Sequence, residues 1–352
     1  MSVISGVLFH AAGASSASLC YVPEKETRGW SWQTYWLAQA AVCWLVLPVV
    51  GAWVTIPHLK EVLMEAPKSA MYKSFALGAA YGIGGTAFGL AIRYIGFSLT
   101  YAISVGISCV IGTLLPPIVH GEFVSILNKT GSEWVMSGVA MGAVGITICG
   151  LAGWFKEKDI ERNKNTQTSY SFAKGLPLCL LAGILSAVYG FSLDQGQPIA
   201  DVAQKYGAGQ FQINVIYIFS NTGAFLSTAI YCIYLHVKEH TFDEYKKLAK
   251  QQKTSALSIN YTMAFITGAL WYSQFFFYGL GHTRLGQYKF SSWAIHMIML
   301  VLFSSIVGLL LKEWKNVGGK TKWTLAIAVI ILVFAVLILT YGNYLGTEVA
   351  TG

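Results

Sequence analysis

Long apolar runs alternate with short polar connections along the whole chain, and this alternation is the strongest signal in the sequence. Ten runs come close to the roughly 20 residues that an α-helix needs to cross the hydrocarbon core of a bilayer. They are residues 2-22, 35-56, 74-95, 97-119, 134-155, 172-193, 211-237, 259-281, 290-311 and 323-345. The pattern predicts an all-α, polytopic membrane protein with ten transmembrane helices and no attached soluble domain.

Composition supports the same class. Of the 352 residues, 55% are hydrophobic and 11% are charged, whereas an ordinary soluble domain is about 25% charged. The first run lacks a basic segment before its apolar core, so we expect a retained helix rather than a cleaved signal peptide. The six cysteines fall in six different spans without paired spacing, which favours packing residues over a metal or redox centre.

The positive charge is distributed unevenly between the connections. Seventeen of the 24 Lys and Arg residues fall in the odd-numbered connections or within three residues of them. By the positive-inside rule these connections are cytoplasmic, which predicts a bacterial inner-membrane protein with both termini on the periplasmic side. The net charge of +8 is therefore an orientation signal. The expected surroundings are a lipid bilayer, and no nucleic-acid partner is expected.

Two pairs of segments repeat along the chain. The segment 78-96 aligns with the segment 268-286, with matching Gly, Ala, Gly, Leu and Gly in register. The segment 13-25 aligns with the segment 183-195, which sets Glu24 on Asp194 so that an acid ends both helices. Both alignments indicate a single duplication.

The duplication predicts two five-helix repeats, at residues 1-155 and 172-352, joined by a polar cytoplasmic linker at residues 156-171. Because five spans is an odd number, the second copy enters the membrane from the opposite side. Inverted repeats are a recurrent transporter architecture in which substrate binds where the repeats meet, near the midplane of the bilayer. We therefore expect alternating access to a central site.

Span eight carries the clearest candidate binding residues. Thr267, Trp271, Gln274 and Tyr278 follow i, i+4, i+7 and i+11, so they share one face of a helix. A stripe of aromatic and amide groups suits a sugar, because rings stack on its C–H surfaces while an amide exchanges hydrogen bonds with its hydroxyls. Packing between helices, with an interhelical hydrogen bond, is an equally open interpretation.

Four further polar residues lie within or beside the spans. His10 and His296 lie inside spans one and nine, where a histidine can hold a hydroxyl, carry a proton or simply bond to a neighbouring helix. Asp194 and Lys289 lie at the outer ends of spans six and nine. They could form an ion pair, Asp194 could take up a proton, or both could be solvated at the interface.

Several chemistries are not expected. No second ligand lies three or four residues from either histidine, so neither a metal nor another cofactor is predicted. The chain has no nucleophile beside a base and no zinc-protease motif, which disfavours an enzyme. The glycine face of span five, at Gly138, Gly142 and Gly145, suits either internal packing or a dimer contact. A monomer and a weak homodimer both remain open.

Five segments resemble one family. They are WSWQTYW (30-36), RYIGFS (93-98), GALWYSQFFFYGLGH (268-282), SSWAIHM (291-297) and GLLLKEW (308-314). Together they are similar to the bacterial L-rhamnose-proton symporter family of the drug/metabolite transporter superfamily. The resemblance implies a ten-helix inner-membrane transporter that takes up L-rhamnose or a related 6-deoxy sugar with protons. The residues that the resemblance carries over are Arg93, Gln274, His282 and His296, which lie within these segments, and His10 and Lys25, which lie outside the five.

The chain also departs from the family pattern. The resemblance implies an acidic residue near the start of the ninth helix, where this chain has Lys289, and an amide near the position of Asp194. Moving a carboxylate changes which hydroxyls can be bound and where a proton can reside. L-fucose or another monosaccharide therefore remains an alternative substrate.

The leading hypothesis is a proton-coupled importer of a 6-deoxyhexose. His10, Trp271, Gln274, Tyr278 and His296 are predicted to line the sugar site, with Lys289 and Asp194 contributing at its outer end. Asp194 is the favoured proton carrier, and His10 is the second candidate. The alternatives are an exporter of metabolites or drugs on the same scaffold and a sensory or structural membrane protein without flux.

Overall fold

The computed structural model describes residues 3–95, 97–164, 172–246 and 255–348. Within these ranges the chain is helical and contains no strand, which confirms the predicted all-α class. A π-helical segment, Ala41–Val46, joins the second and third helices. The α-helices are α1 (Val3–Leu19), α2 (Trp32–Ala40), α3 (Leu47–Thr55), α4 (Leu59–Glu65), α5 (Lys68–Ile95), α6 (Phe97–Val119), α7 (Phe123–Leu127), α8 (Ser132–Lys164), α9 (Phe172–Gln195), α10 (Gln197–Lys205), α11 (Asn214–Glu239), α12 (Ser255–His282), α13 (Ser291–Leu310) and α14 (Gly319–Glu348).

Nine helical segments of the described residues are long and apolar enough to cross a membrane. They are Val3–Glu26, Trp32–Thr55, Lys68–Ile92, Leu99–Val119, Ser132–Ile160, Ala173–Lys205, Gly209–Glu239, Ser291–Leu310 and Gly319–Gly346. These segments overlap nine of the ten predicted runs. The remaining run, 259-281, lies in α12, whose 28 residues include Asn260 and Gln274, and it is not among these nine segments. At about 1.5 Å per residue, α12 is about 42 Å long.

The predicted linker falls only partly within the described residues. Helix α8 continues to Lys164, so the first residues of the 156-171 segment extend the fifth predicted span as a helix. Residues 165–171 lie outside the described residues.

Contacts divide the chain into two compact units, and each unit contains residues from both sequence halves. The first unit comprises Met1–Ser18, Gly84–Phe191 and Leu280–Gly352, and the second comprises Leu19–Ile83 and Ser192–Gly279. The compact units are therefore not the two predicted repeats. The repeats are a relation between sequence segments and stay a prediction.

In the first unit, α8 packs against α13 and α14 through its glycine face. A Cβ atom at Gly138 would lie 2.6 Å from Leu339 Cγ and 3.0 Å from the Leu339 backbone nitrogen. At Gly142 a Cβ atom would lie 2.1 Å from Ile298 Cδ1. The absence of a side chain at these positions lets the helices approach closely. The glycine face of α8 is thus used for packing within the chain.

Helix α14 is apolar on two opposite faces. The buried face consists of Leu325, Ala328, Leu332, Ala335 and Leu339, and the residues more than half exposed are Trp323, Ile330, Phe334 and Leu337. A helix at a water-facing surface would carry polar residues on its exposed side. Apolar side chains on both faces indicate that the exposed face of α14 contacts lipid.

In the second unit, α5 and α11 meet backbone to backbone. A Cβ atom at Gly78 would lie 2.0 Å from the carbonyl oxygen of Ser220, and one at Gly223 would lie 2.1 Å from the carbonyl oxygen of Phe75. Each helix therefore places a glycine against the backbone of the other. Any larger residue at these two positions would force the helices apart.

The contact between α8 and α14 predicts a specific loss of stability. Gly138→Leu should lower the free energy of unfolding by about 1–3 kcal/mol, because the new side chain overfills a packed interface. Thermal unfolding of the purified protein in detergent measures the effect. Val144→Leu is the matched control, since Val144 lies on the same helix and is 54% exposed. Equal melting temperatures for both variants would contradict the close contact at Gly138.

Candidate functional site

Four aromatic residues of the second unit form a cluster centred on Trp271 of α12. The ring of Trp271 lies 5.6 Å from Tyr21, 5.7 Å from Trp36 and 5.5 Å from Trp44, measured between centroids. All three contacts are edge-to-face, the arrangement that aromatic quadrupoles favour. We call Tyr21, Trp36, Trp44 and Trp271 the aromatic cluster.

The π-helical segment explains how Trp36 and Trp44 reach the same ring. In a uniform α-helix, residues eight apart point about 80° away from each other. The wider π turn, in which the Leu47 N–H bonds to the Val42 carbonyl, removes part of that offset. Pro48 follows directly, and a proline ring displaces the carbonyl four residues earlier, here that of Trp44. The local sequence therefore favours the widened turn.

A close approach between α2 and α12 at Gly268 brings the two helices together beside the aromatic cluster. A Cβ atom at Gly268 would lie 2.8 Å from the carbonyl oxygen of Gln39 and 2.6 Å from Val42 Cβ. One residue earlier, Thr267 donates a hydrogen bond to the Cys20 carbonyl at 2.8 Å, and its Oγ1 lies 2.6 Å from the Tyr35 hydroxyl. Thr267, predicted on the sugar-facing stripe, is thus used to hold α12 to its neighbours.

The start of α2 is fixed by the segment that follows α11. The Glu244 carboxylate accepts hydrogen bonds from the Ser31 backbone N–H at 2.7 Å and from the hydroxyls of Ser31 and Thr34. An acceptor at this point satisfies groups that a helix N-terminus leaves unbonded. Tyr245 also packs here, and burial raises the pKa of its hydroxyl above the usual range. These contacts orient the helix that carries Trp36.

Several buried polar atoms without a hydrogen-bond partner among the described residues belong to the aromatic cluster or to nearby residues of the same helices. They include Nε1 of Trp36, Trp44 and Trp271, both ends of the Gln39 carboxamide, and the hydroxyl of Tyr272, which follows Trp271 in sequence. Leaving a buried polar group unbonded costs about 1–3 kcal/mol. In the first unit, by contrast, the Trp293 Nε1 donates to the Ser108 carbonyl at 2.9 Å. The aromatic cluster therefore offers hydrogen bonds to a ligand.

The other two predicted residues of the α12 stripe lie beyond Trp271 on the same helix. Gln274 and Tyr278 are 8% and 6% exposed, so both are buried. They follow Trp271 by one and two turns. In the structure the predicted stripe lies on the single helix α12. Trp36 of α2 and Trp44 of the π-helical segment also contact Trp271, which the spacing along α12 did not indicate.

The two predicted histidines meet in the first unit. The rings of His10 and His296 lie 5.8 Å apart at an angle of 67°. His10 Nε2 lies 2.8 Å from the hydroxyl of Ser292, one turn before His296 on α13. A Cβ atom at Gly281 would lie 2.7 Å from His10 Nε2, so only glycine leaves room for the imidazole. We call His10, Ser292 and His296 the histidine cluster.

The two predicted charged residues lie at helix ends and belong to different compact units. Lys289 lies in the turn before α13 with an exposed side chain. Asp194 lies at the end of α9, half-buried, and its Oδ2 accepts a hydrogen bond from Gln195 at 3.2 Å. Their predicted roles stay predictions.

Comparison with known proteins gives a consistent result over the whole chain. The family model for the L-rhamnose-proton symport protein (RhaT) matches residues 1–344. The chain belongs to the L-rhamnose-proton symporter family. Relatives named L-rhamnose-proton symporter include those of Cronobacter sakazakii (32% identical, 99% of each chain), Citrobacter koseri (32%, 97% of this chain and 98% of the relative) and Mannheimia succiniciproducens (33%, 97% and 98%).

Membership of the L-rhamnose-proton symporter family confirms two expectations from the sequence. The resemblance drawn from five short segments is confirmed over almost the full length. The expectation of a transporter rather than an enzyme is also confirmed, since the family consists of proton-coupled sugar symporters. Together with nine candidate spans among the described residues, this makes the chain a multi-pass membrane protein.

Sequence reasoning missed the α2 side of the aromatic cluster. Trp44 lies near the middle of the run 35-56, which is too deep for the membrane interface where tryptophan is common. Trp36 lies near the start of the same run, at a depth typical of interfacial tryptophans. Gln39 carried a usable signal, because a carboxamide inside an apolar run needs a partner.

The packing of Gly281 against His10 predicts a non-additive pair of substitutions. Gly281→Ala alone should destabilise the protein by about 1–3 kcal/mol, because its methyl group overlaps the imidazole. In the His10→Ala background the same substitution should cost less, since the ring is gone. Thermal unfolding of the single and double variants measures the difference. Gly106→Ala is the control, because its Cβ atom would lie 3.3 Å from one flexible methyl of Ile146.

Additive effects of His10→Ala and Gly281→Ala would contradict this contact. If Gly106→Ala destabilised the protein as much as Gly281→Ala, the loss of stability would reflect a general intolerance of added methyl groups in the first unit. It would then not be evidence for a specific overlap with His10.

Proposed function

We propose that this chain takes up L-rhamnose, or a closely related 6-deoxyhexose, together with protons by alternating access. The observation that carries the proposal is the aromatic cluster around Trp271, whose buried indole N–H groups lack partners among the described residues. The names of its relatives give the substrate, since each is called an L-rhamnose-proton symporter.

The chemistry of the cluster suits a 6-deoxyhexose. Such a sugar has an apolar edge formed by its C–H groups and C6 methyl, and hydroxyls that both donate and accept hydrogen bonds. Tryptophan combines a flat apolar face with one N–H donor. In the proposed site Trp271, Gln274 and Tyr278 contact the sugar from α12. The candidates from sequence for further sugar-binding residues are His10, His296, Lys289 and Asp194.

The proposed topology has ten spans in the bacterial inner membrane and both termini in the periplasm. Helix α12 is the eighth span, because its length of about 42 Å exceeds the roughly 30 Å of hydrocarbon. Its polar residues then face the transport path rather than lipid. Packing of the α8 glycine face within the chain favours a monomer.

The division into compact units supports the proposed inverted repeats. The chain passes between units after Ser18 and Phe191, and these boundaries fall within or beside the aligned segments 13-25 and 183-195. It passes again after Ile83 and Gly279, which fall within the aligned segments 78-96 and 268-286. Each proposed repeat therefore passes from one unit to the other at corresponding points, which is expected of a duplicated segment.

Proton coupling is assigned to Asp194, with His10 as the second candidate. Asp194 ends α9 in a half-buried position, within a segment that aligns with residues 13-25 of the first proposed repeat. The histidine cluster of the first unit provides the second ionisable candidate, His10.

Uptake under an imposed pH step tests the substrate and the direction of transport. In right-side-out vesicles acidified outside, labelled L-rhamnose should accumulate above its external concentration, L-fucose should accumulate less, and D-glucose should not.

Trp271→Ala should abolish the accumulation of L-rhamnose, because the central ring of the aromatic cluster is removed. Trp53→Ala is the control, since Trp53 is 74% exposed on α3 of the same unit. Net efflux of the label would favour an exporter, and absence of any flux would favour a sensory or structural protein.

The coupling assignment makes a separate prediction. Asp194→Asn should abolish accumulation driven by the pH gradient, because an amide cannot take up and release a proton, while exchange of internal for external L-rhamnose should continue. Asp201→Asn is the matched control, since Asp201 is an exposed acid on the neighbouring helix α10. Undiminished accumulation by Asp194→Asn would remove Asp194 from this role and leave His10 as the candidate.

A further inference from the structure

The most informative unassigned side chain is that of Gln39. It is 1% exposed, and neither its carboxamide oxygen nor its nitrogen has a hydrogen-bond partner among the described residues. Gln33, earlier on the same helix, is equally buried at 2% exposure, yet its Nε2 donates to Glu239 at 2.8 Å and to Thr241 at 3.0 Å. The two glutamines of α2 therefore differ in whether the protein itself satisfies them.

Gln39 lies at the level of the aromatic cluster. Its backbone carbonyl oxygen faces Gly268, which lies just under one turn before Trp271 on α12. Trp36, whose ring contacts Trp271, is one turn before Gln39 on α2. The backbone of Gln39 and the rings of Trp36 and Trp271 thus belong to one region where α2 and α12 approach each other.

The polar atoms of this region define the chemistry of a ligand. Three indole N–H groups are donors only, whereas the carboxamide of Gln39 supplies two further donor hydrogens and one acceptor oxygen. None of these groups is charged, so a carboxylate or an ammonium ion would be buried there without a counter-ion. A neutral molecule with several hydroxyls and an apolar face matches all of them.

We infer that Gln39, with the indole N–H groups of Trp36 and Trp44, forms the hydroxyl-recognising side of the sugar site, opposite the α12 residues predicted from sequence. Gln39 is the specificity-determining residue, because it alone in this set accepts a hydrogen bond as well as donating. This inference rests on the proposed function, since it assumes that the ligand of the aromatic cluster is the transported sugar.

Binding measurements on the purified wild-type protein and on Gln39 variants test the inference. We expect Gln39→Leu and Gln39→Met to raise the dissociation constant for L-rhamnose by about tenfold or more, because a site built to bond a hydroxyl loses its partner. Neither variant should lower the melting temperature, since each removes a buried unpaired amide. Gln33→Leu, the matched control, should lower the melting temperature and leave the dissociation constant unchanged.

Deoxy analogues of L-rhamnose provide a second measurement, the first part of which needs only the wild-type protein. The wild type should bind one of the 2-, 3- or 4-deoxy analogues far more weakly than L-rhamnose, by about tenfold or more. Gln39→Leu should bind that analogue and L-rhamnose with similar affinity, because the hydroxyl no longer has its partner.

The outcomes separate the two proposals. Failure of the wild type to bind L-rhamnose would overturn the proposed function. The role of Gln39 would be overturned if Gln39→Leu or Gln39→Met bound L-rhamnose with the wild-type affinity. It would also be overturned if the wild type bound all three deoxy analogues with the same affinity as L-rhamnose. Either result would leave the proposed function intact.

Discussion

A buried polar group in a membrane protein must find its hydrogen bonds inside the protein or in a ligand, and this constraint organises the polar residues of the chain. Where partners exist, the groups join helices. Thr267 links α12 to the Cys20 carbonyl, and Trp293 bonds to the Ser108 carbonyl. Three indole N–H groups without a partner among the described residues meet around Trp271, on α2, the π-helical segment and α12. These groups are therefore available for binding a ligand.

The helices and part of the site could be predicted from sequence because both depend on local periodicity. Apolar runs indicate helices, and Trp271, Gln274 and Tyr278 share a face because they are spaced at helical intervals on one element. Trp36 and Trp44 could not be assigned in this way. They reach the same ring through a π-helical segment whose turn is wider than the one that periodicity assumes.

Tertiary partners account for most of what the sequence left open. His10 and His296 were each candidates, but their meeting beside Ser292 depends on how α1 packs against α13. The glycine face of α8 suited an internal or an intermolecular contact until Leu339 was found against Gly138. Helix α12 shows a different limit, because the polar residues that mark it as a binding element also lower the hydropathy by which a span is recognised.

The composition of the aromatic cluster constrains how sugar and proton can be coupled. Tryptophan and glutamine do not titrate near neutral pH, so the tryptophans of the cluster and Gln39 cannot carry the proton. The proposed carriers, Asp194 and His10, are ionisable residues outside the cluster. Coupling by these proposed carriers does not require that the aromatic cluster itself bind the proton. In the proposed alternating-access cycle, protonation and sugar binding must each favour the same access state, and linkage makes that effect reciprocal.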